Sequence, residues 1–193
     1  MKPNMPKVSG FTLIELVIVM VVIGIMGAAL SPLILSSLRA YDTTLGDLVV
    51  LDKQRYAIER LAREIREVNY NYDPFNPANS IFSFNTMGAG SMQFSRVYYD
   101  ANGASSPTTT VTVGNTGTDV TLAYSTFANG TATVLTNEFG ALTFDYLDQN
   151  GGTLSLSPPP VATVRSVRIN LTLRRNNQDY TQRTQVELKN YRP

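Results

Sequence analysis

From Phe11 to Leu30 the chain reads FTLIELVIVMVVIGIMGAAL, with Thr12 and Glu15 as its only polar side chains. Twenty residues in an α-helix extend roughly 30 Å, the thickness of a bilayer's hydrocarbon core. Past Pro32 the pattern changes from apolar all round to one-sided. Leu38, Tyr41, Leu45, Leu48, Leu51, Ile58, Leu61, Ile65 and Val68 recur mostly three or four residues apart, with Arg55 interrupting. Charged residues, among them Asp52, Lys53, Glu59, Arg60, Arg63, Glu64, Arg66 and Glu67, fall mainly on the other sides. This is the period of an amphipathic helix. It predicts one long helix from about Thr12 to about Val68, its first half in apolar surroundings and its second half packed on a sheet. Glu59/Arg63 and Arg60/Glu64 are four-residue pairs that would support the exposed face.

The remainder alternates with period two. NYNYDPFNPANS at 69–80 reads as a loop, because two prolines and several asparagines break any helix. Its Tyr70 and Tyr72 suit covering the sheet or helix end, with sugar contact as the sharper alternative. SIFSF, SMQFSRVYY, Thr110–Val113, DVTLAYSTF, TATVL and ALTFDYL are candidate strands, separated by the Ser/Thr/Gly/Asn-rich stretch 101–118 and by a rigid Ser157–Pro160 connector. The clearest pair is last. Val167, Ile169, Leu171 and Leu173 face one way, Ser166, Arg168, Asn170, Thr172 and Arg174 the other. After a turn near Asn176–Asp179, Tyr180, Val186 and Leu188 share one face and Arg183, Glu187 and Lys189 the opposite one. A sheet with one dry and one wet face needs a cover, and the amphipathic helix supplies it. The expected fold class is α+β: a long N-terminal helix on an antiparallel β-sheet domain.

Composition removes whole classes of chemistry. The chain has no Cys and no His, so disulfides, Cys/His zinc sites, and Ser-His-Asp or Cys-His catalysis are excluded. The formal net charge is +1. Loss of residues 1–10, with Lys2 and Lys7, leaves 14 basic against 15 acidic residues, a balance that argues against a general nucleic-acid binder. Asp145 and Asp148 beside Gly151-Gly152 have the types to bind Ca²⁺ or do acid–base work, but their spacing suits a solvated turn better. Arg168, Arg174 and Arg183 would form a basic face, open to DNA or an acidic partner, on what is otherwise a soluble sheet surface.

Glu15 is the residue that the apolar run does not explain. An ionised carboxylate costs about 2.5–3.5 kcal/mol at the centre of a membrane helix, less near its end. It either snorkels to the nearby interface or pairs with a cation. No Lys or Arg lies between Phe11 and Leu38. Proteolysis before Phe11 would create an α-amino group four residues away on the same helix face, or on a neighbouring subunit. Lys2 and Lys7 precede the run, which places the N-terminus in the cytoplasm and the rest outside. A conventional signal peptide cut near Gly27-Ala28-Ala29 competes, but its apolar region is usually about 7–15 residues, and it leaves Glu15 without a role.

Lys7-Val8-Ser9-Gly10 followed by Phe11-Thr12-Leu13-Ile14-Glu15 resembles the cleavage and methylation motif of type IV prepilins. The resemblance covers residues 7–38, with Gly24 and Pro32 at helix-loosening positions. The stretch AIERLAREIREV at 57–68 resembles minor pilins related to the J-type pseudopilin of type II secretion and to the O-type minor pilin of the mannose-sensitive haemagglutinin pilus. The resemblance implies a leader at 1–10, a transmembrane and filament-core helix at 11–38, an amphipathic helix half at 39–68 and a β-rich periplasmic domain at 69–193. It implies cleavage between Gly10 and Phe11 by prepilin peptidase, N-methylation of Phe11, and neutralisation of an adjacent subunit's amine by Glu15. Gly24 and Pro32 would let the helix loosen during extraction from the membrane. The implied partners are other pilin or pseudopilin subunits, the peptidase and an inner-membrane assembly platform; nucleic acid would enter only in a DNA-uptake system. The implied location is the bacterial inner membrane and then a pilus or pseudopilus. No catalytic residue, metal or cofactor is expected. The competing class is a single-span membrane-anchored periplasmic binding protein or enzyme, which predicts an uncut or differently cut N-terminus and no role for Glu15.

Overall fold

The computed structural model describes residues 10–71, 73–76, 80–96, 108–125, 130–157 and 161–188. Lys2, Lys7, Val8, Ser9, Tyr72, the Pro158–Pro160 connector and Lys189 lie outside them. The chain divides into two units, Met1–Gly46 and Asp47–Pro193.

Helix α1 runs unbroken over Leu13–Arg66, close to the expected span. Gly24 is helical and Pro32 sits inside the helix. Proline has no N–H for the carbonyl four residues back. Around it, the Ser31 hydroxyl donates to Gly27 O at 2.8 Å and the Ser37 hydroxyl to Leu33 O at 2.9 Å. The helix continues through the proline without ending. In the first unit every described residue from Gly10 to Leu45 is exposed. By length and composition α1 is the one helix among the described residues suited to crossing a membrane.

The second unit carries the remaining twenty residues of α1 and three antiparallel sheets. Strands β1 (Tyr70–Asn71) and β2 (Ile81–Phe82) form a small ribbon, on which the Tyr70 and Phe82 rings lie 4.9 Å apart. Tyr70 thus covers the domain. A five-stranded sheet joins β3 (Phe84–Met87), β4 (Met92–Arg96), β5 (Thr109–Asn115), β6 (Val120–Tyr124) and β7 (Thr133–Thr136) in sequence order. A three-stranded sheet has β9 (Ser166–Arg175) between β8 (Phe139–Leu147) and β10 (Gln178–Glu187). The predicted last hairpin is present with Val167 opposite Val186 and Arg175 opposite Gln178. Its two-residue turn puts Asn176 and Asn177 at φ 49° and 63°, the left-handed pair that matches strand twist and that asparagine tolerates.

The dry faces of the two larger sheets and α1 share one core. Val167, Ile169, Leu171 and Leu173 are fully buried, with Phe94, Val111 and Val113 from the other sheet and Leu61 and Ile65 from the helix. The buried helix face differs from the predicted stripe. It is Val50, Gln54, Ala57, Ile58, Leu61, Glu64 and Ile65, with Val68 buried just past the helix end, whereas Leu48 and Leu51 are about half exposed. Two polar residues thus occupy core positions. The Gln54 amide donates to Leu171 O and to Tyr180 O, both at 2.7 Å. Glu64 takes Arg60 at 3.0 Å and the Arg96 guanidinium from β4. Of the two predicted four-residue pairs, Arg60/Glu64 forms; Glu59 instead turns back to Arg55 at 2.8 Å.

Arg60 also donates to the Tyr124 hydroxyl at 2.7 Å. Burial first, then the hydrogen bond and charge of Glu64, push this phenol from its ordinary 10.0 up to about 12, with Arg60 opposing. The fold therefore favours the neutral phenol. Its contribution is complete below pH 10.0 and is lost as pH rises towards about 12. Alkaline unfolding followed by circular dichroism should be shallower over that window in Tyr124→Phe than in the parent chain. Identical profiles would remove Tyr124 as a source of the alkaline loss.

Candidate functional site

The N-terminal turn gathers the residues singled out in the sequence. Gly10 and Phe11 precede the helix and are exposed, Phe11 at 80%. Thr12 is the cap of α1. Its N–H donates to Glu15 Oε2 at 3.5 Å, and the Glu15 N–H donates to Thr12 Oγ1 at 3.4 Å. Leu16 N then donates to Thr12 O at 3.3 Å and closes the first turn. This reciprocal arrangement is a capping box, which satisfies two amide donors that a helix start leaves over. The Thr-x-x-Glu spacing could have signalled it from sequence, and the reading of Glu15 as a lone carboxylate missed it.

The box has a chemical consequence. Only one of its hydrogen bonds reaches the carboxylate, at 3.5 Å to one oxygen, so the carboxylate keeps acceptor capacity for a further donor. A negative group there also opposes the positive end of the helix dipole. An amine created at Phe11 would enter this same turn, one residue before the cap. Gly10 and Phe11 thus immediately precede the capped turn that holds Glu15, while Gly24 and Pro32 lie farther along the helix. A Cβ built on Gly10 meets nothing within 4 Å, and the same holds for Gly24. Neither space nor backbone geometry among the described residues requires glycine at position 10.

The other candidates resolve into ordinary surface contacts. The Asp148 carboxylate accepts the Asn150 and Gly152 amides, both at 2.8 Å, and so builds the turn after β8. Asp145 lies 3.8 Å from Arg168 and accepts from Asn170 at 3.2 Å. The two carboxylates thus serve separate contacts, and among the described residues no three acidic side chains converge. Arg174 pairs with Asp179 at 2.6 Å, and Arg183 donates to Asn170 at 2.9 Å. The Arg174 hydrogen bond holds the Asp179 carboxyl below its ordinary range. Acids and amides spread along the same strands therefore dilute the supposed basic face.

Residues 5–31 match the model of the prokaryotic N-terminal methylation motif, a segment typical of type IV pilins. The match takes in Gly10, Phe11, Glu15 and Gly24 and stops one residue short of Pro32. No curated protein matches the chain.

Proposed function

We propose that this chain is a minor pilin or pseudopilin. Prepilin peptidase cuts it between Gly10 and Phe11 and methylates Phe11; the mature subunit is then built into a type IV pilus or a type II secretion pseudopilus. The observation that carries the reading is the methylation motif at 5–31, joined to a helix whose apolar side chains are exposed all round from Phe11 to Leu45. Such a surface is stable only against lipid or against other apolar helices. One segment can then serve both as membrane anchor and as filament core. The function is assembly rather than turnover, and the partners are other subunits, the peptidase and the inner-membrane platform. The absence of cysteine and the resemblance of residues 57–68 to J-type subunits favour a minor over a major role.

Glu15→Ala tests the reading. It removes the carboxylate and keeps both the apolar helix and Gly10. The variant is expected to insert and to be cut as the parent is, yet to enter filaments poorly. Losing one partner of a desolvated ion pair costs about 3–5 kcal/mol, enough to cut incorporation at least tenfold. Glu15→Asp keeps the charge with a shorter reach and should be intermediate. Immunoblots of sheared filaments against membrane fractions give the readout. Normal incorporation of Glu15→Ala would refute the amine–carboxylate contact, and a membrane-anchored protein that never leaves the membrane would favour the single-span alternative.

A further inference from the structure

The helix face buried in the second unit repeats strictly. Val50, Gln54, Ala57, Leu61 and Glu64 are each at most 1% exposed, and they follow one another at steps of four, three, four and three. A seam of this period looks nearly the same after the helix slides along itself. A shift of four residues, about 6 Å at 1.5 Å per residue, would carry Ile58, Leu61 and Ile65 into the sites of Gln54, Ala57 and Leu61. All three incoming side chains are apolar. The apolar pattern alone therefore leaves a competing axial position open.

We infer that Gln54 and Glu64 are the register lock of this helix: two buried polar side chains that select one axial position of α1 on the sheets. Gln54 reaches two adjacent strands at once, through Leu171 O on β9 and Tyr180 O on β10. A shift of four residues takes the amide to the site of Val50 and away from both carbonyls. Glu64 does the same for the other sheet, through Arg96 on β4 and, by way of Arg60, Tyr124 on β6. The same shift would take Glu64 to the place of Arg60 and away from the Arg96 guanidinium. Each side chain sits where an apolar residue would fit, so its contribution is to uniqueness more than to burial. Buried polar groups at single seam positions are known to fix helix register in this way. The two anchors lie ten residues apart, one on each large sheet. A slip at either end would therefore break contacts at the other.

The chain has no cysteine, so distances can be read between introduced pairs of spin labels. Tyr56→Cys with Thr112→Cys reports helix against the five-stranded sheet, and Tyr56→Cys with Glu187→Cys reports it against the three-stranded sheet; all three positions are exposed. The full chain in detergent is expected to give one narrow distance for each pair. With Gln54→Leu, Glu64→Leu and Arg96→Leu combined, no buried charge is left in the cluster core, and the domain should keep a cooperative thermal transition. Its distances should then split or move, with a second population displaced along the helix by about 6 Å. A single narrow distance at the parental value in the folded triple variant would overturn the inference. Should the triple variant fail to fold, Gln54→Met, nearly isosteric and without donors, decides it. A broadened or second distance supports the lock, and an unchanged one overturns it.

Discussion

A Gly10→Phe chain is expected to accumulate in the membrane as full-length precursor. Its processed fraction should fall below about a tenth of the parental value, because a steric cost of only about 1.4 kcal/mol at the scissile bond is tenfold in rate. The structure makes this test clean. Gly10 lies outside α1, is exposed, and has open space where a side chain would project. A larger residue there disturbs nothing in the described fold, so a defect reports on the enzyme that handles the segment. Gly10→Ala, which adds one methyl group, should retain measurable cleavage. Intact mass of protein from native membranes distinguishes precursor from mature chain, and N-terminal sequencing should find N-methyl-Phe11. A mature start downstream of Phe11, or undiminished processing of Gly10→Phe, would sink the pilin reading.

The second large effect is on stability. Glu64→Ala should destabilise the second unit by about 3–5 kcal/mol, the usual result of removing one partner from a buried ion pair. The Glu64 side chain is 1% exposed and that of Arg96 14%, so water cannot readily replace the missing carboxylate. Arg60, at 32%, can turn outwards and contributes less to the loss. Glu64→Gln keeps the shape and some hydrogen bonding and should fall between. Urea unfolding, at constant dependence on denaturant, measures both. A loss under about 1 kcal/mol for Glu64→Ala would place this cluster with surface pairs, which contribute little.

These effects mark where the sequence was readable. The apolar run is a local signal, and the helix follows from its spacing; the Thr12–Glu15 box is equally local in spacing but was not among the expectations, which gave Glu15 a cation as its partner. The last hairpin was equally legible, because Val167 to Leu173 alternate without exception and two adjacent asparagines supply the left-handed turn. The helix face that meets the sheets was not. Val49, Val50 and Leu51 are consecutive apolar residues, so periodicity cannot choose among them. The choice is made by Gln54 and Glu64, polar residues whose partners lie far away at Leu171, Tyr180 and Arg96. A rule that sends polar side chains outward misplaces them. The separation into a five-stranded and a three-stranded sheet was hidden for the same reason. Strand pairing between distant segments leaves no mark on local alternation, and β7 and β8 are nearly contiguous in sequence yet belong to different sheets.

Strand β10 has a consequence of its own. Among the described residues it pairs with β9 as its only strand neighbour and ends its sheet; the Tyr180 carbonyl is taken by Gln54, and the rest of its outer backbone has no strand beside it. Such a border is a template on which another chain can add a strand and begin to aggregate. Its exposed positions hold Asp179, Arg183 and Glu187, charges of alternating sign at intervals of four. A second copy laid antiparallel about Arg183 would bring Arg183 against Arg183, and one laid parallel in register would oppose every charge with its like. In the proposed filament these domains would be crowded together, and the charges along β10 would disfavour fusion of neighbouring sheets.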